Sequence, residues 1–303
     1  MVILGAGSLG STNILLKSRS DWMDLSSNLG KRFSTNGDAL GFSYNGAMKI
    51  RPVGKETAKV RSSGKGPGPC ITSVIDMRDI PGKELHESYV IEDGTPPSST
   101  ELPYKFLLRI VDSGTDTTPG EDDWREYGRH LSGRGLTNSM AFLSMSNDSA
   151  TGELKLDEKN GRVWIDYPDV GEGANFHAVT EGMTNATKGL KGRFVPNPFW
   201  GGIVAKIRDT KGIITVHPLG GCAMAESGRE GVVNHAGQVF KGDTDKLHPG
   251  LYVMDGAVMP RSLGVNPSMT ISMVAERCMR LMAQQHEWTI DYESRKTISI
   301  YSK

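Results

Sequence analysis

VILGAGSLGSTNILLKS, residues 2–18, reads as a strand, a glycine turn and a helix. Val2-Ile3-Leu4 is a short run suited to a buried strand, GAGSLG is the turn, and Leu9, Ile14, Leu15 and Leu16 supply an apolar helix face through about Lys17. A counterpart lies near the other end. LYVM, residues 251–254, is a short apolar strand closed by Asp255-Gly256, and Ile271, Val274, Ala275, Cys278 and Met282 recur at helical spacing between about Ser268 and Gln284. Both ends therefore read as pieces of one α/β layer.

The middle reads differently. Strand patterns fall at 39–45, 71–77, 88–92, 140–146, 153–157 and 162–167, and Asn160-Gly161 marks a hairpin between the last two. Phe176, Val179, Met183, Ala186 and Leu190 line one face of a helix over 175–190, and a further helix is expected near 104–111. Residues 232–240 suggest another hairpin. GKETAKVRSSGKGPGP, residues 54–69, reads as a solvated loop. The expected fold class is α/β (α+β), with a unit formed by 1–45 and 205–303 and an inserted antiparallel β unit over 46–204.

Composition excludes several functions. Lys+Arg and Asp+Glu balance at 35 each among 303 residues, so no net field steers nucleic acid, and no apolar run is long enough to span a bilayer. Cys70, Cys222 and Cys278 form no CxxC pair, which argues against a disulfide framework or a zinc site. A reducing, cytoplasmic setting is the simplest inference. Met1 leads straight into a strand with no signal-like segment, so a truncated or split gene product is expected and targeting cannot be read.

Gly5, Gly7 and Gly10 match GxGxxG, which offers an NAD-type reading in which a pyrophosphate sits on the helix N-terminus. That reading needs a second strand ending in an acidic residue about 20 positions on. Asp21 and Asp24 stand in SRSDWMDLSSN, which has no strand pattern. A tight strand-to-helix turn explains the glycines equally well.

HPLGGCAM (217–224) and GLYVMDGAVMPRSLGVNPSMTISMVAERCMRLM (250–282) together closely resemble the C-terminal signature of the glucose–methanol–choline (GMC) oxidoreductases, in the look of the cholesterol oxidases. VILGAGSLGSTNILLKS and NLGKRFSTNGD (28–38) resemble internal segments of the same family. The resemblance implies that the chain ends form part of a Rossmann-like FAD domain and that the inserted sheet faces substrate. It implies FAD as cofactor and oxidation of an alcohol, a bulky apolar or sterol-like one being the expected class. His217 would be the base or hydroxyl-orienting group and Asn266 its partner on the substrate oxygen. Gly5, Gly7, Asn36, Gly37, Asp255, Gly256, Pro267, Met269 and Thr270 would line the flavin. The family's N-terminal FAD segment has no counterpart here, so an N-terminal FAD-domain chain is a candidate partner.

The residue types suit that chemistry. Oxidising an alcohol removes a proton from oxygen and a hydride from carbon, which a flavin accepts. Imidazole titrates near working pH, and positioned acid–base catalysis contributes about 10²–10⁴-fold. A helix starting near Ser268, with Pro267 at its mouth, would offer free N–H groups to a reduced flavin. Steroid oxidases of this kind also use a glutamate from the substrate domain, which no motif places here. Cys222 reads as a small packed residue, Cys278 as core, and Met269, Met273, Met279 and Met282 as packing. Phe199 and Trp200, in RFVPNPFW, could wall an apolar pocket. Two further readings stay open: a catalytically silent half that needs a partner, and the NAD-type dehydrogenase.

Overall fold

The computed structural model describes residues 1–50, 71–95, 137–197, 199–200 and 211–292. The loop expected at 54–69, the helix expected near 104–111 and Cys70 lie outside the described residues.

The chain ends meet as the sequence pattern implies. Strand β1 (Val2–Leu4) pairs in parallel with β10 (Leu247–Val253), Ile3 opposite Tyr252, and β10 pairs antiparallel with β9 (Gln238–Phe240). The turn after β1 leads into helix α1 (Gly7–Ser18). That helix buries Ser8, Ser11, Thr12, Leu15 and Leu16, a stripe at i, i+3, i+4, i+7 and i+8. Leu9 and Ile14, expected on this face, fall off that stripe and stay 44% and 43% exposed. The stripe packs into a core with Leu4, Phe33, Leu219, Cys222, Val233, Val253 and Val258.

A second sheet has the order β3-β4-β5-β2-β8, all antiparallel: β2 (Ala39–Tyr44), β3 (Val74–Asp76), β4 (Tyr89–Gly94), β5 (Met140–Ser146) and β8 (Arg193–Pro196). Helix α2 (Ala174–Gly189) covers one face, with Val179 and Met183 against Tyr89, Ile91 and Phe142. Burying each such side chain contributes about 1.5–3 kcal/mol, enough to fix the helix on the sheet. Alternation along the strands sends Ile91 to the helix and its neighbour Glu92 to the opposite face, in line with Leu143 and Leu40.

The units drawn from sequence differ from the sheets at two elements. β2 lies before residue 46 yet pairs between β5 and β8. The hairpin β6 (Glu153–Asp157) to β7 (Arg162–Asp166) lies inside 46–204 yet sends Leu154 into the core shared by the chain ends, its N–H donating to the Gly30 carbonyl. Short alternating strands look alike whichever core they serve, so the pattern alone misassigns them. In the β6–β7 turn only Gly161 has positive φ, at 65°, and Asn160 instead bonds Asp157. The 232–240 turn is present as a Val233–Val239 bridge. Helix α3 (Ser268–Gln285) buries Cys278 and Met282 as expected, whereas Met269 and Met273 stand 71% and 65% exposed rather than packed.

Candidate active site

The segment 215–221 carries His217 between two cores. Gly220 and Gly221 follow it with φ of 78° and 98°, a region that side-chain-bearing residues avoid. A Cβ on Gly221 would strike Thr12 of α1. The glycines thus let the chain turn sharply against α1 after the histidine.

His217 is held by Asp38, whose side chain is fully buried. The ring Nδ1 lies 3.0 Å from Asp38 Oδ1. The other carboxylate oxygen accepts from the Val216 N–H at 2.7 Å, the His217 N–H at 3.0 Å and the Thr215 hydroxyl at 3.0 Å. A carboxylate is an acceptor only, so Nδ1 is the donor to Asp38, and in the neutral ring Nε2 presents its lone pair. Nε2 has no hydrogen-bond partner among the described residues, and the side chain is 19% exposed.

Asn266, from the loop before α3, donates its Nδ2–H to Glu92 Oε1 at 2.6 Å. Glu92 is 7% exposed, and its second oxygen, Oε2, is buried without a partner among the described residues. Burial raises the Glu92 carboxyl above its ordinary value, opposed by the Asn266 hydrogen bond and by the nearby His217 ring. Glu92 therefore bonds one predicted side chain, Asn266, and lies near enough to the other, His217, for their charges to interact. Sequence reading missed it and Asp38. A usable signal did exist: Glu92 is the one charged residue in Tyr89-Val90-Ile91-Glu92, an otherwise apolar strand run, and carboxylates are seldom buried without a task.

The remaining predicted residues divide by what their atoms already do. Asn36, at φ 56° and fully buried, spends its carboxamide on the loop before Asn266. It donates to the Val265 carbonyl at 2.8 Å and accepts from the Leu263 and Gly264 N–H groups at 2.9 and 3.2 Å. That side chain is engaged by protein rather than held open for a ligand. Gly37, at φ 60°, lies so close to Ser146 that a Cβ would overlap it. Asp255 accepts from the Gly7 N–H at 3.0 Å, the Ser11 hydroxyl at 2.5 Å and the Ala257 N–H at 2.8 Å. Its carboxylate thus takes the place at the start of α1 that the NAD-type reading gives to a pyrophosphate, and a second anion there would meet like charge. Gly256 packs against Leu219 and Ile271. A Cβ on Gly5 or Gly7 would meet nothing within 4 Å, so the turn after β1 is open on its outer side. Helix α3 begins after buried Pro267 with no side-chain cap, which leaves the first-turn amides around Met269 and Thr270 without that kind of partner.

Trp200 donates its ring N–H to the Gly171 carbonyl and lines a cavity on the α2 side of the sheet with Ala39, Phe176, Met183, Phe194 and Ile213. Cys222 is fully buried beside Thr12, and burial pushes its thiol up to about 12. No cluster of three or more metal-ligating side chains occurs among the described residues, and no described helix is long and apolar enough to cross a membrane.

Comparison with known proteins adds likenesses of sequence and fold. Residues 148–275 match the C-terminal family model of GMC oxidoreductase. A cholesterol oxidase of Acinetobacter baumannii is 43% identical over 72 residues, 24% of this chain and 12% of that protein. A long-chain-alcohol oxidase of Arabidopsis thaliana is 31% identical over 75 residues, 25% of this chain and 9% of that one. These matches span only about a tenth of the relatives' length. An FAD-dependent oxidoreductase of Chaetomium thermophilum superposes with a TM-score of 0.51 at 16% identity, covering 95% of this chain and 55% of that one, a likeness of fold. Residues 148–275, which hold both His217 and Asn266, are thus similar to the C-terminal domain of the GMC oxidoreductases.

Proposed function

We propose that this chain supplies the substrate-side catalytic machinery of an FAD-dependent alcohol oxidation, with bulky apolar alcohols as substrates. One observation carries the reading: Glu92 bonds Asn266 at 2.6 Å, lies near enough to His217 for their charges to interact, and keeps one buried oxygen without a partner among the described residues. Such an orphaned acceptor is suited to a water or to a ligand group at a working site.

His217 Nε2 accepts the substrate hydroxyl's hydrogen bond and takes its proton. The imidazolium so formed lies against Asp38 and near Glu92, both of which favour its charge. Asn266 uses one Nδ2 hydrogen on Glu92 and offers the other to the substrate oxygen as negative charge develops there. Bound FAD supplies the acceptor for the hydride leaving the carbinol carbon. The uncapped start of α3 at Pro267, Met269 and Thr270 suits the flavin ring, and the open turn at Gly5 and Gly7 leaves room beside it. The adenosine end has no matching berth among the described residues, because β1 is the edge of its sheet and no further parallel strand follows it. The substrate class follows the cholesterol and long-chain-alcohol oxidases that this chain is similar to.

The purified protein is to be loaded with FAD and mixed anaerobically with a sterol and with a long-chain alcohol. The expected result is bleaching of the flavin band in wild type and loss of bleaching by about 10²–10⁴-fold in His217→Ala. Full turnover in that variant rejects the assignment. A second reading, a half-enzyme that needs a complementary polypeptide to retain FAD, is favoured by the bare β1 edge and by exposed Val2, Ile3, Leu9 and Ile14. Failure of the chain to retain flavin alone selects it.

A further inference from the structure

We propose that the loop 34–38 is a single positioning device that sets His217 and Asn266 relative to one another, with Asp148 as its anchor. The argument rests on reading those two side chains as the working pair. Within five residues the loop grips both. Asp38 holds the backbone and ring of His217, and Asn36 holds the main chain at 263–265, immediately before Asn266. The two grips are made through side chains at 0% exposure, so neither is softened by competing water. Asn36 is the better residue for this task than Asp would be. Its one planar group must donate to a carbonyl and accept from two N–H groups, and a carboxylate could only accept.

The loop itself is fixed from one place. Asp148, just beyond β5, accepts from the Ser34 hydroxyl, the Thr35 N–H and the Thr35 hydroxyl, each at 2.8 Å, and from the Gly37 N–H at 3.4 Å. The Asn36 N–H turns inward onto the Ser34 hydroxyl at 2.9 Å, which supports the left-handed conformation of Asn36. The Asn36 and Gly37 carbonyls are joined to Ser146 of β5. Thus the end of β5 sets the loop, and the loop sets both partners. Asn36 and Asp148 are positioning residues; neither is a candidate to touch substrate.

The test uses the full chain, without cofactor, and reads each arm separately. Hydrogen exchange follows the amides of 262–267, and ¹⁵N spectra of labelled His217 and Asn266 follow the ring tautomer and the carboxamide. Asn36→Gly keeps the left-handed backbone but removes the grip. It is expected to speed exchange at Leu263 and Gly264 by about tenfold and to shift the Asn266 carboxamide resonance, leaving the His217 ring signals in place. Asp38→Asn is expected to do the reverse, changing the His217 signals alone. Asp148→Asn is expected to disturb both. Asn36→Asp serves if the glycine variant unfolds, with the same arm affected. The proposal falls if Asn36 variants that melt like wild type leave Asn266 unmoved, or if Asp148→Asn disturbs neither partner. These signals do not depend on turnover, so their failure is separable from failure of the oxidase reading.

Discussion

Glu92 and Asn266, 174 residues apart in the chain, share a hydrogen bond of 2.6 Å at the centre of the site. One comes from the inner face of the five-stranded sheet and the other from the mouth of α3. The bond therefore ties the five-stranded sheet to the unit built from the chain ends.

Glu92 predicts a pH dependence with a definite sign. Its folded-state carboxyl is raised by burial, so folding favours the protonated form. The stability it contributes is complete below the ordinary glutamate value and is lost as pH rises through the raised one. Catalysis runs the other way: the ionised carboxylate stabilises imidazolium on His217, so turnover rises over that same interval. Glu92→Gln is expected to flatten both limbs and to lower the rate by about 10²-fold or more, measured by melting temperature and by kcat/KM across pH. An unchanged rate profile in the variant removes Glu92 from the mechanism.

Asp255 predicts a stability loss rather than a chemical one. Asp255→Ala strips the acceptor from the Gly7 and Ala257 N–H groups and the Ser11 hydroxyl. The expected cost is about 1–3 kcal/mol, read as a shifted denaturant midpoint with unchanged slope. A neutral substitution contradicts the capping role.

Gly221 tolerates no side chain. At φ 98° and against Thr12, Gly221→Ala strains the backbone and overfills the contact with α1. A loss of about 2 kcal/mol or more is expected by chemical denaturation. Gly161→Ala, with equal handedness but open space, is expected to cost less.

Cys222 is expected to be inert. With no exposure and a thiol pushed up to about 12, it presents almost no thiolate near neutral pH. Iodoacetamide labelling of native protein followed by peptide mapping is expected to leave Cys222 unmodified until denaturant is added. Rapid native labelling contradicts the packing.

Much of the fold was legible because its signals are local. Val2-Ile3-Leu4 before a glycine turn, the 3.6-residue spacing of Phe176, Val179 and Met183, and Asn160-Gly161 between strands each announce an element without knowledge of the rest. The pair His217 and Asn266 is proposed from motif resemblance. Membership in a core was not legible, since β2 and β6 carry the same alternation and serve different layers. Asn36 shows a subtler limit. The family resemblance puts Asn36 beside a ligand, yet its polar atoms pair with main chain 227 to 229 residues away. Asp38 and Glu92 escaped notice because their partners are visible only once distant segments meet.

Position in the chain has a last consequence. The site draws on Asp38, Glu92, His217 and Asn266, and no two neighbours in that series are closer than 49 residues, the gap between the last two. A centre so composed exists only once residue 266 has joined residues 38, 92 and 217, and contacts this far apart in the chain form later than local ones.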